Sequence, residues 1–152
     1  MKHVVITGST RGIGLGLAKE FLALGCSVTI CGRAQVDVDR VVNELSSLYS
    51  SENLLGMACD VREPAQVQAL WDASFERFGK VDIWINNAGY SGPQLPAWEI
   101  EPGKAKEVIE TNLLGEIYGS IIAVREMIAQ EHGALYNMEG MGSDGRMHAG
   151  LA

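Results

Sequence analysis

Short apolar runs alternate along this chain with stretches of helical periodicity, and that alternation leaves few folds open. Val4-Val5-Ile6, Val28-Thr29-Ile30, the region from Leu54 to Cys59, Val81 to Ile85 and Ala134 to Met138 read as five strands. Between them, apolar residues recur at helical spacing. Ile13, Leu17, Phe21 and Leu24 form one face of a first helix that Gly25 closes, and Val38, Val41, Val42, Leu45 and Leu48 form a second behind Asp37 as N-cap. Pro64 opens a third helix that buries Val67, Leu70, Trp71, Phe75 and Phe78 and stops at Gly79. A fourth, long helix runs from about Gly103 to Glu131, with Val108, Ile109, Leu113, Ile117, Ile121, Val124 and Ile128 facing inward. Strand–helix alternation at this spacing predicts an α/β fold, a doubly wound parallel sheet with helices on both faces. The expected strand order is 3-2-1-4-5, which puts the carboxyl ends of strands 1 and 4 at the switch point where ligands bind.

The 152 residues suffice for one domain with a real core. A net charge of −7 argues against nucleic-acid or anionic-lipid binding through a basic face. Cys26, Cys31 and Cys59 form no C-x-x-C pair and read as reduced thiols of a cytosol-like compartment. His3, His132 and His148 show no metal-ligand spacing. No signal peptide is read before the first strand, and the longest uncharged run, Ile83 to Trp98, is too broken by asparagine, glycine and proline to span a bilayer.

The strongest local signal is Thr7-Gly8-Ser9-Thr10-Arg11-Gly12-Ile13-Gly14, at the turn from strand 1 into helix 1. Glycine there permits close backbone approach, and the free N–H groups at a helix start attract a pyrophosphate. This run resembles the cofactor motif of the short-chain dehydrogenase/reductase family. Asn86-Asn87-Ala88-Gly89 after strand 4 resembles the family's second signature, and Asp60-Val61 after strand 3 its adenine-contacting pair. Asn112 falls where the family keeps a catalytic asparagine. The resemblance covers essentially the whole chain and implies a single Rossmann-like domain over residues 1–152, with the sheet's C-terminal strands missing.

The resemblance implies cofactor contacts from Gly8, Ser9, Thr10, Arg11, Gly12, Ile13 and Gly14, from Asp60 and Val61, and from Asn87, Ala88 and Gly89. Asp60 serves equally as an N-cap for helix 3. One of Asn86 and Asn87 ties strand 4 to its neighbours and the other meets the cofactor ribose; the sequence leaves open which. Asn112 is expected to kink its helix and hold a water in a proton relay. Glu139 and Gly140 occupy the positions of the family's serine pair, so Ser143 becomes the candidate for polarising the substrate, with a plain loop serine as the alternative. NAD-binding members need a carboxylate after strand 2, where this chain has Gly32 and then Arg33. A guanidinium there, with Arg11 nearby, welcomes a 2′-phosphate, so the expected cofactor is NADP(H).

The stretch Asn137-Met138-Glu139-Gly140-Met141-Gly142-Ser143, with the two glycine-containing motifs, resembles the chlorophyll(ide) b reductase branch, which reduces a formyl group with NADPH. Bacterial relatives acting on other carbonyl substrates share the pattern. The family's Tyr-x-x-x-Lys pair is absent from the 152 residues: four places after Tyr49, Tyr90, Tyr118 and Tyr136 stand Asn53, Gln94, Ile122 and Gly140. The expectation is therefore the first part of an NADPH-dependent carbonyl reductase, inactive by itself, with a nucleotide-binding sensor or short form as the alternative. A methyltransferase reading fails on the asparagine signature and on the missing acid after strand 2. The long helix is expected to support homo-oligomers, and the compartment to be the cytoplasm, or the plastid stroma in a photosynthetic eukaryote.

Overall fold

The computed structural model describes residues 1–139. A five-stranded parallel sheet runs in the order β3-β2-β1-β4-β5, as the alternation predicts. Its strands are β1 (His3–Ile6), β2 (Ser27–Gly32), β3 (Leu54–Ala58), β4 (Ile83–Asn86) and β5 (Ala134–Asn137). The connecting helices are α1 (Gly12–Ala23), α2 (Gln35–Ser46), α3 (Pro64–Phe78), α4 (Pro102–Ile109) and α5 (Gly115–Ala129). A π-helical turn, Glu110–Leu114, joins the last two, so the long helix is present but interrupted at Asn112.

Each face of the sheet carries its own core. Val4, Ile6, Val28 and Ile30 point toward α1 and α2, where Ala18, Leu22, Val38, Val41 and Leu45 cover them. Val5, Cys31 and Trp84 point the other way, under Val67, Leu70 and Trp71 of α3 and Ile122, Ala123 and Met127 of α5. Alternation along β1 therefore feeds two hydrophobic layers, as a strand buried on both faces must. Pro64 occupies the first turn of α3, where its missing N–H costs nothing, and Gly79 ends the helix at φ 74°.

Several helix faces differ from the sequence reading, for one physical reason. In α1 the residues against the sheet are Gly14, Ala18 and Leu22, whereas Ile13 and Leu24 are exposed. In α5 they are Gly115, Gly119, Ile122, Ala123 and Met127, and the predicted inward stripe of Ile109, Leu113, Ile117, Ile121, Val124 and Ile128 faces outward. Small residues let these helices lie close to the strands: a methyl group at Gly119 would overlap the Asn86 side chain of β4 and come within 3.2 Å of Trp84 Nε1. Reading by side-chain size picks the wrong side of such a helix. Leu48 and Phe75 are likewise exposed, with Ser74 taking the inward place in α3. Asp37 lies inside the first turn of α2 rather than at its N-cap, which is Ala34. Helix α3 is preceded by Glu63, so Asp60 does not cap it.

At the amino end of the sheet, His3 is fully buried and stacks on Phe78 with ring centroids 4.2 Å apart. Its Nδ1 lies 3.2 Å from the Ser27 carbonyl oxygen and its Nε2 3.2 Å from Thr29 Oγ1, which in turn meets Ser74 Oγ at 3.0 Å. Burial pushes the imidazole down to about 4, against the opposing pull of the Ser27 carbonyl and Asp82. Below pH 6.5 the unfolded chain takes up a proton that the folded chain refuses. The neutral ring's contribution is thus complete above pH 6.5 and is lost as pH falls toward about 4, a loss of about 3 kcal/mol. Urea titrations across that window are expected to show the loss in the native chain, and a distinctly shallower pH dependence in His3→Asn.

Candidate active site: a nucleotide cleft at the switch point

Where β1 and β4 diverge to opposite neighbours, their carboxyl ends open a cleft of about 540 Å³. The turn after β1 forms its floor. Gly8 has φ 65°, and a Cβ there would sit 2.8 Å from Ala88 Cα, so only glycine lets the loop pass under the β4 signature. Gly14 is as tight: a methyl group would overlap Asn87 Nδ2 and meet the Gly8 carbonyl oxygen at 2.6 Å. The N-terminus of α1 has no side-chain cap, so its first N–H groups remain available to a ligand.

Thr7 fastens this loop to the other strand. Its Oγ1 accepts from the backbone N–H of Asn87 at 2.9 Å and of Ala88 at 3.0 Å. The Asn87 side-chain amide donates to the Thr7 and Gly8 carbonyl oxygens at 2.8 and 3.3 Å. Asn86 has the other task that the sequence leaves unassigned. Its amide donates to the Glu116 carbonyl oxygen, Ser120 Oγ and Asn137 Oδ1, and its Oδ1 accepts from Trp84 Nε1, tying β4 to α5 and β5. So Asn86 is the structural asparagine and Asn87 the one that lines the cleft.

The predicted contact residues Gly8, Thr10, Arg11, Gly12, Ile13, Gly14, Arg33, Asp60, Val61, Asn87, Ala88 and Gly89 come together around this one cleft. Ser9 does not join them. It is fully buried: its N–H donates to the Cys31 carbonyl oxygen at 2.8 Å, its hydroxyl donates to the Ile6 carbonyl oxygen at 2.8 Å, and the same oxygen accepts from the Cys31 N–H at 2.9 Å. A serine inside a glycine loop reads as a ligand contact, but here it braces the loop against β2. Arg40 and Asp37, which the sequence reading passed over as contacts, also line the cleft. Their signal lay in helical spacing, which puts them on one face of α2 behind Arg33.

Asp60 is held rigidly. Arg62 Nε donates to Oδ1 at 2.9 Å and its Nη2 to Oδ2 at 2.5 Å, and the Arg62 backbone N–H donates to Oδ1 at 3.1 Å. Hydrogen bonding from that guanidinium holds the Asp60 carboxyl below the usual carboxylate range, so it stays an acceptor at neutral pH. At Gly32 the wall is closed from the other side: a Cβ would lie 2.7 Å from Thr10 Cγ2.

A second cavity, about 530 Å³, continues past Asn87, Ala88 and Gly89 to Asn112, Val108, Glu116, Met138 and Glu139. Asn112 is exposed, but both ends of its amide are engaged. Its Oδ1 accepts from the Tyr90 N–H at 2.8 Å and its Nδ2 donates to the Tyr90 carbonyl oxygen at 3.0 Å, fixing the loop after β4 to the π-helical turn. Ser143 lies outside the described residues. Cys31 and Cys59 are buried, Cys26 is half-buried and all three are free thiols.

The sheet order and a glycine-floored cleft at its switch point define a Rossmann-like nucleotide-binding fold. The family model for short chain dehydrogenases matches residues 2–150, and the chain belongs to that short-chain dehydrogenase/reductase family. It is 42% identical over 146 residues to a chloroplastic chlorophyll(ide) b reductase of Oryza sativa, covering 95% of this chain and 43% of that one. A 3alpha-hydroxysteroid dehydrogenase of Mediterraneibacter gnavus is 32% identical over 140 residues, 92% of this chain and 56% of that one. Among solved structures, an actinorhodin polyketide ketoreductase with NADPH superposes with a TM-score of 0.86 at 30% identity, covering 97% of this chain and 57% of that one. A gluconate 5-dehydrogenase from Burkholderia cenocepacia in complex with NADP and tartrate gives 0.85 at 30% identity, covering 99% and 58%. The chain thus spans roughly half the length of these relatives, or less.

Gly14→Ala is expected to weaken nucleotide binding at least on the order of tenfold, about 1.4 kcal/mol. Calorimetric titration reads the loss, and an unchanged far-UV spectrum shows that the sheet survives.

Proposed function

We propose that this chain is the NADP(H)-binding part of a carbonyl reductase. The observation that carries the reading is the wall beside Gly32. Arg33 and Arg11 line the same cleft, and Thr10 crowds the point where a side chain at 32 would begin, while no carboxylate stands there to repel a 2′-phosphate. The residues present fit the group. The N–H groups at the start of α1 suit a pyrophosphate, Asp60 and Val61 an adenine, and Asn87, Ala88 and Gly89 the nicotinamide ribose. NADPH-bound and NADP-bound neighbours of the same fold support the choice.

Bound NADPH supplies a hydride to a carbonyl carbon. This chain's own residues orient the nucleotide and shape the adjoining cavity where Asn112 stands beside Gly89. Asn112, positioned on Tyr90, serves as the family's catalytic asparagine, and Ser143 as the group that polarises the substrate oxygen. The substrate is a formyl or keto group. A formyl chlorin is favoured by the 42% identity to a chlorophyll(ide) b reductase. Relatives named as chloroplastic favour the plastid over the cytoplasm. No described helix is long and apolar enough to cross a membrane.

Titration is expected to show NADPH bound more tightly than NADH. NADPH oxidation against formyl chlorins and simple aldehydes is expected to stay near background for these residues alone. Preference for NADH would overturn the cofactor assignment, and rapid turnover would overturn the idea that the proton donor is missing.

The exposed stripe of α5 supports a homo-oligomer through that helix. Light scattering on Ile121→Glu is expected to show a smaller species than the native chain; equal masses would remove the helix from the interface.

A further inference from the structure

The wall that holds Arg33 does not end there. Helix α2 continues it, and Asp37 and Arg40 both line the same cleft one turn farther on. Arg40 Nη2 lies 3.4 Å from Asp37 Oδ1, and both side chains are more than half exposed, at 58% and 55%. An ion pair so exposed to solvent is weak, so the guanidinium exchanges partners at little cost. The start of α2 is itself fixed. Gln35 Oε1 accepts from the Ala58 N–H of β3 at 2.9 Å, and Gln35 Nε2 donates to Asp39 Oδ1 at 2.7 Å. No side chain caps this helix, and its N-cap residue Ala34 lines the same cleft.

Two features make a third guanidinium useful. A phosphate monoester carries close to two negative charges at neutral pH, and the chain as a whole carries −7. Asp37 meanwhile places a carboxylate in the cleft wall, where it repels an incoming phosphate unless its charge is compensated.

We infer that Arg40 and Asp37 form an exchange pair that sets the preference for a 2′-phosphorylated nucleotide: Arg40 leaves Asp37 to engage the phosphate, and Asp37 holds that affinity down. This rests on the reading of the cleft as an NADP(H) site. It assigns to α2 a specificity-determining role beyond that of Arg33 and Arg11.

The test is calorimetric titration of the native chain, Arg40→Gln, Asp37→Asn and the double variant with NADPH and NADH at low salt. Arg40→Gln is expected to weaken NADPH binding about three- to tenfold and to leave NADH unchanged. Asp37→Asn is expected to tighten NADPH about two- to fivefold through the released guanidinium, and most of that gain is expected to vanish in the double variant. Both substitutions are on the surface, and equal thermal midpoints will show intact folding. A native chain that prefers NADPH while Arg40→Gln shifts both nucleotides alike, or neither, overturns this inference and leaves the cofactor assignment standing. A native chain without preference for NADPH overturns both.

Discussion

The ends of β1 and β4 are held together by one threonine and one asparagine, and the site depends on that tie. Parallel neighbours that lead to helices on opposite faces must part at their carboxyl ends, which is what opens a cleft. Left unfastened, the two ends would carry unpaired backbone groups into it. Thr7 Oγ1 takes the N–H groups of Asn87 and Ala88, and the Asn87 amide takes the carbonyl oxygens of Thr7 and Gly8. The glycine loop is thereby set against the β4 signature at a separation that admits no Cβ at Gly8 or Gly14. Asn86 does the same on the far side, joining β4 to α5 and β5. Adjacent asparagines thus brace opposite walls, one toward the nucleotide cleft and one toward the second cavity.

The elements that were legible in the sequence are those whose signal is a rhythm or a terminus. Strand order, the opening of α3 at Pro64 and its end at Gly79 follow from such signals. The helix faces were not legible where the sheet side is built from small residues. The aliphatics of α5 form a stripe whichever way the helix turns, and the close approach of Gly119 to β4, with Gly115 against Val61, sets its orientation. Motif reading likewise gathered the right residues around the cleft but could not separate ligand contacts from braces. Ser9 sits in the middle of the motif and spends every polar atom of its side chain on β1 and β2. The division between Asn86 and Asn87 depends on which side of β4 each faces, a question of register that the dipeptide does not encode. Arg40 was missed because nothing in a linear motif marks a residue seven places beyond Arg33.

Charge in this molecule is local. The overall balance is acidic, yet the arginines at 11, 33 and 40 all line the cleft, together with the carboxylates at 37 and 60. Asp60 is saturated by Arg62, which orients it as an acceptor and keeps it ionised. The result is a cleft that receives an anion without the chain presenting a basic face to the solvent, and that separation lets an acidic protein bind a polyanionic ligand.

The contact between Thr10 and the space above Gly32 has a consequence for how this scaffold can change. An aspartate or glutamate introduced at 32, the plainest route toward a ribose with a free 2′-hydroxyl, would meet the threonine methyl before it met any ligand. The route opens once the residue at position 10 yields, by turning its side chain or by giving way to a smaller one. Two residues far apart in the chain thus share one wall, and an exchange at one is felt at the other.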